Sequence, residues 1–218
     1  EDCAESLGSK SDGKLVGTFG EAAAFSFFGN KTITTGEGGM VLFKEEKHYQ
    51  KALVLRDHGM SKEKRYWHES VGFNYRMTNL QAALGTAQME RIDEILQKKV
   101  EIASIYMRKL SQIPSLQLPK LLRNDFNTYW LFTLILPENI DRDQLMLFLK
   151  ENGIETRQVF YPLHVMPPYL EYAGGDSFSV TTNLSSRGLS LPSSVDLEKE
   201  TVERIANCII DYMNKHSE

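Results

Sequence analysis

Residues 22–43 constrain the fold more than any other part of the chain: an apolar run, AAAFSFF, is followed by GNKTITTGEGG and then by a second apolar run, MVLF. Runs this short, bounded by turn formers, suit buried strands of an α/β sheet, because helices need about ten residues or more. Two strands joined by a glycine-rich loop are expected, with Lys31 where the first strand gives way to the loop. A lysine at such a place is partly withdrawn from water, which favours the neutral amine that can attack a carbonyl. Gly36, Gly38 and Gly39 let the backbone come close to a ligand or adopt positive φ. An isolated lysine beside a turn is ordinarily a solvated surface residue, so its company decides the matter. That company is Asp2 and Glu5 near the start, Ser26 five residues before the lysine, and Asn74 and Arg76 in FNYRMTN.

The remaining pattern alternates helix and strand. A helix is expected over residues 44–57 with Tyr49, Ala52, Leu53 and Leu55 on its apolar side, then a polar, aromatic loop through Tyr66, Trp67 and His68. A long helix or a kinked pair starts at Thr78 or Asn79. Its Leu80, Ala83, Leu84, Ala87, Ile92, Ile95 and Leu96 recur at three- and four-residue steps as one apolar face. Pro114 and Pro119 end it. Beyond them YWLFTLIL, DRDQLMLFLKEN and GIETRQVF read as strand, helix and strand of an α+β unit. Residues 162–186 read as loop, GLSLPSS as a short strand, and the last twenty or so residues as an amphipathic helix. The domain boundary falls within the long helix, dividing the chain into 1–100 and 101–218.

Composition narrows the function by exclusion. A formal net charge of -4, with 25 dispersed basic residues, argues against a binder of nucleic-acid backbone, which needs clustered Lys and Arg. No apolar run is long enough to span a bilayer, and no signal peptide is evident. The cysteines, Cys3 and Cys208, have no metal spacing and suggest a reducing, cytoplasmic setting. The five histidines are scattered, so no metal site is expected, and no GxSxG elbow supports serine hydrolysis.

The runs EDCAESLGS, FSFFGNKTITTGEGGM, RYWHESVGFNYRMTNLQAALG and YPLHVMPPY resemble the DegT/DnrJ/EryC1/StrS family of sugar aminotransferases, and within it the perosamine-forming branch. The resemblance covers essentially the whole chain. It implies the fold-type-I architecture of enzymes that use pyridoxal 5'-phosphate (PLP): part of a three-layer α/β/α large domain in 1–100 and a small α+β domain in 101–218. It also implies that Lys31 is the Schiff-base lysine and that Asp2 bonds the pyridinium nitrogen, keeping the ring an electron sink. Ser26 would bind the cofactor phosphate. Glu5 stands where many relatives carry Gln or His against the ring's phenolic oxygen, a place where a carboxylate repels a phenolate unless protonated. Asn74 and Arg76 match residues that reach the phosphate across a homodimer interface. Tyr66, Trp67, His68, Arg157 and His164 match positions near the substrate.

The activity so implied is transamination of a nucleotide-linked 4-keto-6-deoxyhexose, GDP-linked by preference, with glutamate as amino donor. Two other readings stay open. One is keto-sugar 3-dehydration, although in the similar dehydratases His replaces the lysine; the other is an incomplete, catalytically incompetent module. Starting at Glu1 without Met, the chain reads as a piece lacking an N-terminal segment, and a sheet deprived of strands leaves open edges and apolar faces that invite association.

Overall fold

The computed structural model describes residues 1–122 and 124–216, in two compact units. The first contains residues 1–97 and 121–130; the second contains 98–120 and the chain from 131 onward. A single division at 100/101 does not foresee the return of 121–130. That segment is held to the first unit by bonds between distant residues, which periodicity cannot reveal. Lys10 and Phe126 exchange backbone hydrogen bonds of 2.8 and 2.9 Å, and the Thr128 hydroxyl donates to the Leu7 carbonyl at 2.9 Å.

In the first unit β1 (Lys10–Ser11) and β2 (Lys14–Leu15) form a hairpin turned by Asp12 and Gly13. Their φ values of 46° and 77° are the two positive angles that a tight hairpin turn demands. β3 (Ala22–Ser26) and β4 (Gly39–Phe43) pair antiparallel, from Ala22 opposite Phe43 to Ser26 opposite Gly39. Glycine is required at 39, where a Cβ would stand 2.6 Å from the Phe25 carbonyl oxygen. Residues 1–3 run parallel to β3 on its other side, with the Cys3 N–H donating to the Ala24 carbonyl at 2.8 Å and Asp2 bridging Ala24.

α1 (Glu46–Leu55) buries none of its residues, so the apolar side expected there does not enter a core; Tyr49 remains 45% exposed. The long helix is a pair, α2 (Asn79–Met89) and α3 (Ile92–Leu110), parted at Glu90 and Arg91. Thr78 caps α2 reciprocally with Gln81: the Thr78 hydroxyl accepts the Gln81 N–H at 3.3 Å, and the Gln81 side chain accepts the Thr78 N–H at 2.8 Å. The break also divides the apolar face. Leu80 and Leu84 of α2 are 81% and 58% exposed, whereas α3 buries Ile102, Ala103, Tyr106 and Leu110.

The second unit is built on a three-stranded antiparallel sheet in the order β5 (Phe132–Ile135), β7 (Gly188–Leu191), β6 (Arg157–Gln158). All four residues of the central strand β7 are buried. α4 (Arg142–Glu151) is capped by the Asp141 carboxylate, which accepts the N–H groups of Asp143 and Gln144, and α6 (Lys199–Lys215) supplies Val202, Ile205 and Ile209 to the core. The strand expected over GIETRQVF shortens to two residues, Arg157 opposite Ser190 and Gln158 opposite Leu189, with the Val159 N–H adding one bond to the Gly188 carbonyl at 3.3 Å. Part of the expected loop 162–186 is helical: 3-10 turns at Leu163–Val165 and Pro167–Ala173, then α5 (Ser179–Arg187). Tertiary bonds support this polar helix, among them the Ser185 hydroxyl to the Phe160 carbonyl at 2.8 Å and Arg187 to the Leu136 carbonyl at 2.9 Å.

Candidate active site

Beyond Ser26 the chain leaves β3 and winds into a closed loop. The Phe27 N–H donates to the Gly38 carbonyl and the Thr35 N–H to the Phe27 carbonyl, each at 2.9 Å, while the Lys31 N–H closes a turn on the Phe28 carbonyl at 3.0 Å. Ile33 and Thr35 anchor the loop inward at 2% and 3% exposure. Two glutamines of α2 fasten its backbone: Gln88 accepts the Thr34 N–H at 2.9 Å and donates to the Thr34 carbonyl at 2.6 Å, and Gln81 donates to the Glu37 carbonyl at 2.9 Å. The positive φ expected of the loop glycines is present at Gly36 (80°) and Gly38 (149°).

This mounting leaves the Lys31 side chain only 14% exposed. Its Nζ lies 3.6 Å from Glu5 Oε1 and 3.8 Å from the centre of the Trp130 ring. The lysine is thus withdrawn from water, though into the company of a carboxylate and an indole face, both partners of an ammonium. Glu5 is itself 54% exposed, so solvent screens the pair. Asp2 lies beside β3; its Oδ1 accepts the Ala4 N–H at 3.1 Å, which leaves Oδ2 to accept from a ligand. The half-buried Ser26 hydroxyl, at the end of β3, accepts the Phe28 N–H at 3.3 Å and retains its own hydrogen to donate. An amine, a carboxylate and a hydroxyl on neighbouring segments fit a group carrying an aldehyde, a ring nitrogen and a phosphate: the amine would bond the first, the carboxylate would hold the second protonated, and the hydroxyl would donate to the third.

Residues 56–76 form a wound loop in the same unit. The His58 N–H bonds the Phe73 carbonyl at 2.9 Å and the Glu69 N–H the Gly59 carbonyl at 2.8 Å; Asp57 bridges Asn74, and Met60 bridges His68. The winding depends on two glycines, since a Cβ on Gly72 would stand 2.1 Å from the Gly59 nitrogen. Arg76 pairs with Asp57 at 3.3 Å and lines a hollow of about 440 Å³ with Arg56, Lys62 and Arg65. Tyr66 and Trp67 stand 74% and 55% exposed, and a ring nitrogen of His68 bonds the His58 carbonyl at 2.8 Å. Asn74 is also exposed. Arg157 and His164 belong to the second unit: Arg157 lines a cavity of about 730 Å³ with Lys150, Asp143 and Gln158, and His164 Nε2 lies 3.3 Å from the Thr182 hydroxyl. Among the described residues no group of His, Cys, Asp or Glu is arranged to hold a metal, and no helix is long and apolar enough to cross a membrane.

With this geometry in place, comparison with known proteins is decisive. The model of the DegT/DnrJ/EryC1/StrS aminotransferase family matches residues 1–210. The chain belongs to that family. It is 47% identical over 216 residues to GDP-perosamine synthase of Vibrio cholerae, covering 98% of this chain and 59% of that protein. It is 35% identical over 213 residues to the putative pyridoxal phosphate-dependent aminotransferase EpsN of Bacillus subtilis, covering 96% and 55%. Among solved structures, PseC of Helicobacter pylori, an aminotransferase involved in the biosynthesis of pseudoaminic acid, superposes with a TM-score of 0.91 at 27% identity, covering 98% of this chain and 59% of that one. The chain therefore spans less than two thirds of the length of these relatives. Its architecture is the α/β fold of sugar aminotransferases, with a partial large domain, and PLP is the cofactor of the family.

Sequence reasoning did not find three residues that shape the site in this family member. Gln81 and Gln88 read as polar positions of a helix, yet they fasten the loop that carries Lys31. Trp130 read as part of a strand, although it lies against that lysine. Only the capping-box spacing of Thr78 and Gln81 gave a local signal for any of them.

Proposed function

We propose that this chain carries the cofactor-binding part of a PLP-dependent aminotransferase acting on a nucleotide-linked 4-keto-6-deoxyhexose. Relatives 47% and 43% identical to this chain are named GDP-perosamine synthase, so the reaction inferred is glutamate plus GDP-4-keto-6-deoxymannose giving 2-oxoglutarate plus GDP-perosamine. The observation that carries this reading is Lys31: an amine 14% exposed, on a loop fastened at both sides, five residues beyond the hydroxyl of Ser26 and 3.6 Å from Glu5.

Bound there, PLP supplies an aldehyde for covalent attachment and a ring that withdraws electrons from the carbon losing its proton. Lys31 Nζ holds the cofactor at rest. As a free amine the same nitrogen would take the proton from Cα of glutamate and, in the second half-reaction, deliver one to C4 of the sugar. Asp2 keeps the ring nitrogen protonated, Ser26 binds the phosphate, and Glu5 faces the ring oxygen. Asn74 and Arg76 reach the phosphate of a second copy in a homodimer. Their exposure, with that of Phe73 (50%), Tyr75 (74%) and Leu80 (81%), supports a partner over this surface. Tyr66, Trp67, His68, Arg157 and His164 are assigned to the sugar nucleotide. Two free thiols, Cys3 and Cys208, support a cytoplasmic setting.

The test is K31A in the full-length protein. Loss of the visible absorbance of lysine-bound cofactor together with loss of 2-oxoglutarate formation is expected; turnover that survives K31A refutes the assignment. Equal rates on GDP-, UDP- and dTDP-linked keto-sugars would refute the nucleotide preference alone.

A further inference from the structure

We propose that Trp130 is a positioning residue for Lys31, gripping the peptide before it with the indole N–H and sheltering its side-chain nitrogen under the indole face. The inference rests on the reading of Lys31 as the cofactor-binding lysine. Trp130 is 7% exposed and 99 residues beyond Lys31 in sequence. Its Nε1–H donates to the Asn30 carbonyl oxygen at 2.7 Å, and its ring centre lies 3.8 Å from Lys31 Nζ. One rigid side chain thereby fixes both ends of the lysine, the peptide at its root and the nitrogen at its tip.

The backbone that delivers the indole is built for the purpose. Tyr129, 8% exposed, has φ 50°, a left-handed conformation that an aromatic residue adopts only when its surroundings impose it. The surroundings are specific: the Asn127 side chain accepts the Tyr129 N–H at 2.8 Å, and the Thr128 N–H donates to the buried Ser9 hydroxyl at 3.1 Å. The strained turn directly precedes Trp130, and the segment around it is fastened to residues 7–10. Glu5 holds the same nitrogen from another direction at 3.6 Å. Because Glu5 is half exposed and the indole is buried, the indole is the firmer of the two contacts.

The experiment compares W130F, which keeps an aromatic face but no N–H, with W130L, which keeps neither. In cofactor-free protein, acylation of Lys31 by a limiting amine reagent is measured by peptide mass spectrometry against exposed Lys47 as internal standard. Wild-type Lys31 should be slow, with W130F about threefold and W130L about tenfold faster, as expected for losing one and then both of two modest contacts. The fraction of PLP covalently linked at subsaturating concentration should fall in the same order. A merely structural role would speed buried Lys99 along with Lys31, whereas loss of the indole contacts speeds Lys31 alone. An unchanged ratio in both variants, or in W130F alone if W130L does not fold, overturns the proposal. Wild-type protein that forms no link at Lys31 overturns the reading of the site itself; normal wild-type linkage with ungraded acylation overturns only the role of Trp130.

Discussion

Lys99 on α3 allows a quantitative test of the packing of the second unit. It is 5% exposed, and its Nζ donates to the Ser193 carbonyl at 2.6 Å and to the Ser193 hydroxyl at 3.1 Å. Burial lowers its pKa from 10.5 to about 8. The neutral amine still has two hydrogens for these two acceptors, so deprotonation removes the charge and keeps both bonds. The sign follows from proton binding. Between pH 8 and 10.5 the unfolded chain holds a proton on Lys99 that the folded chain has released, so folded-state stability rises with pH in that window. The full shift is worth about 3 kcal/mol, an upper figure for a single group. Urea unfolding of wild type and K99M, measured from pH 7 to 11, isolates this contribution as a difference. Absolute curves would mix in Tyr106, whose hydroxyl burial pushes well above the usual phenol range, so that it favours unfolding as pH passes 10. That contribution is common to both proteins and cancels. The stability of wild type relative to K99M should climb by about 2 to 3 kcal/mol across the window. A flat or falling difference would refute the buried, desolvated lysine.

Three further outcomes follow from named contacts. G72A forces a Cβ to within 2.1 Å of the Gly59 nitrogen and should open the 56–76 loop, seen as faster hydrogen exchange at His58 and Phe73 with the second unit unaffected. Q88L removes both bonds to the Thr34 backbone and should cost about 2 kcal/mol in urea unfolding while weakening PLP binding, measured by absorbance titration. L134A empties a fully buried position of β5 and should cost about 2 to 5 kcal/mol by the same unfolding assay.

The parts of the fold legible in the sequence are those whose cause is local. β3 and β4 flank Lys31 where glycine and threonine interrupt two apolar runs, and Thr78 with Gln81 announces the start of α2. The Asp12-Gly13 hairpin has an equally local cause, two adjacent residues that accept positive φ. The break at Glu90 and Arg91 has none: both residues favour helix, and neither glycine nor proline marks the place. Likewise, periodicity drew an apolar stripe along α2 but could not say whether anything covers Leu80 and Leu84. Lys31, Asp2 and Ser26 are candidates on motif grounds, because their segments carry recognisable runs. Gln88 and Trp130 lie 54 and 100 residues from the backbone groups they bond, a separation that one sequence does not encode visibly. Polar α5 was hidden for a related reason, its Ser and Thr residues having weak helix propensity that distant carbonyl partners override.

The central claim is that one particular amine bonds the cofactor. Borohydride converts a lysine-bound pyridoxal into a stable secondary amine, so reducing the PLP-loaded full-length protein and mapping its peptides reads the attachment point directly. The account predicts the phosphopyridoxyl group on Lys31, in the peptide that also contains Thr34 and Thr35. A label on another lysine, or none on any, would contradict it.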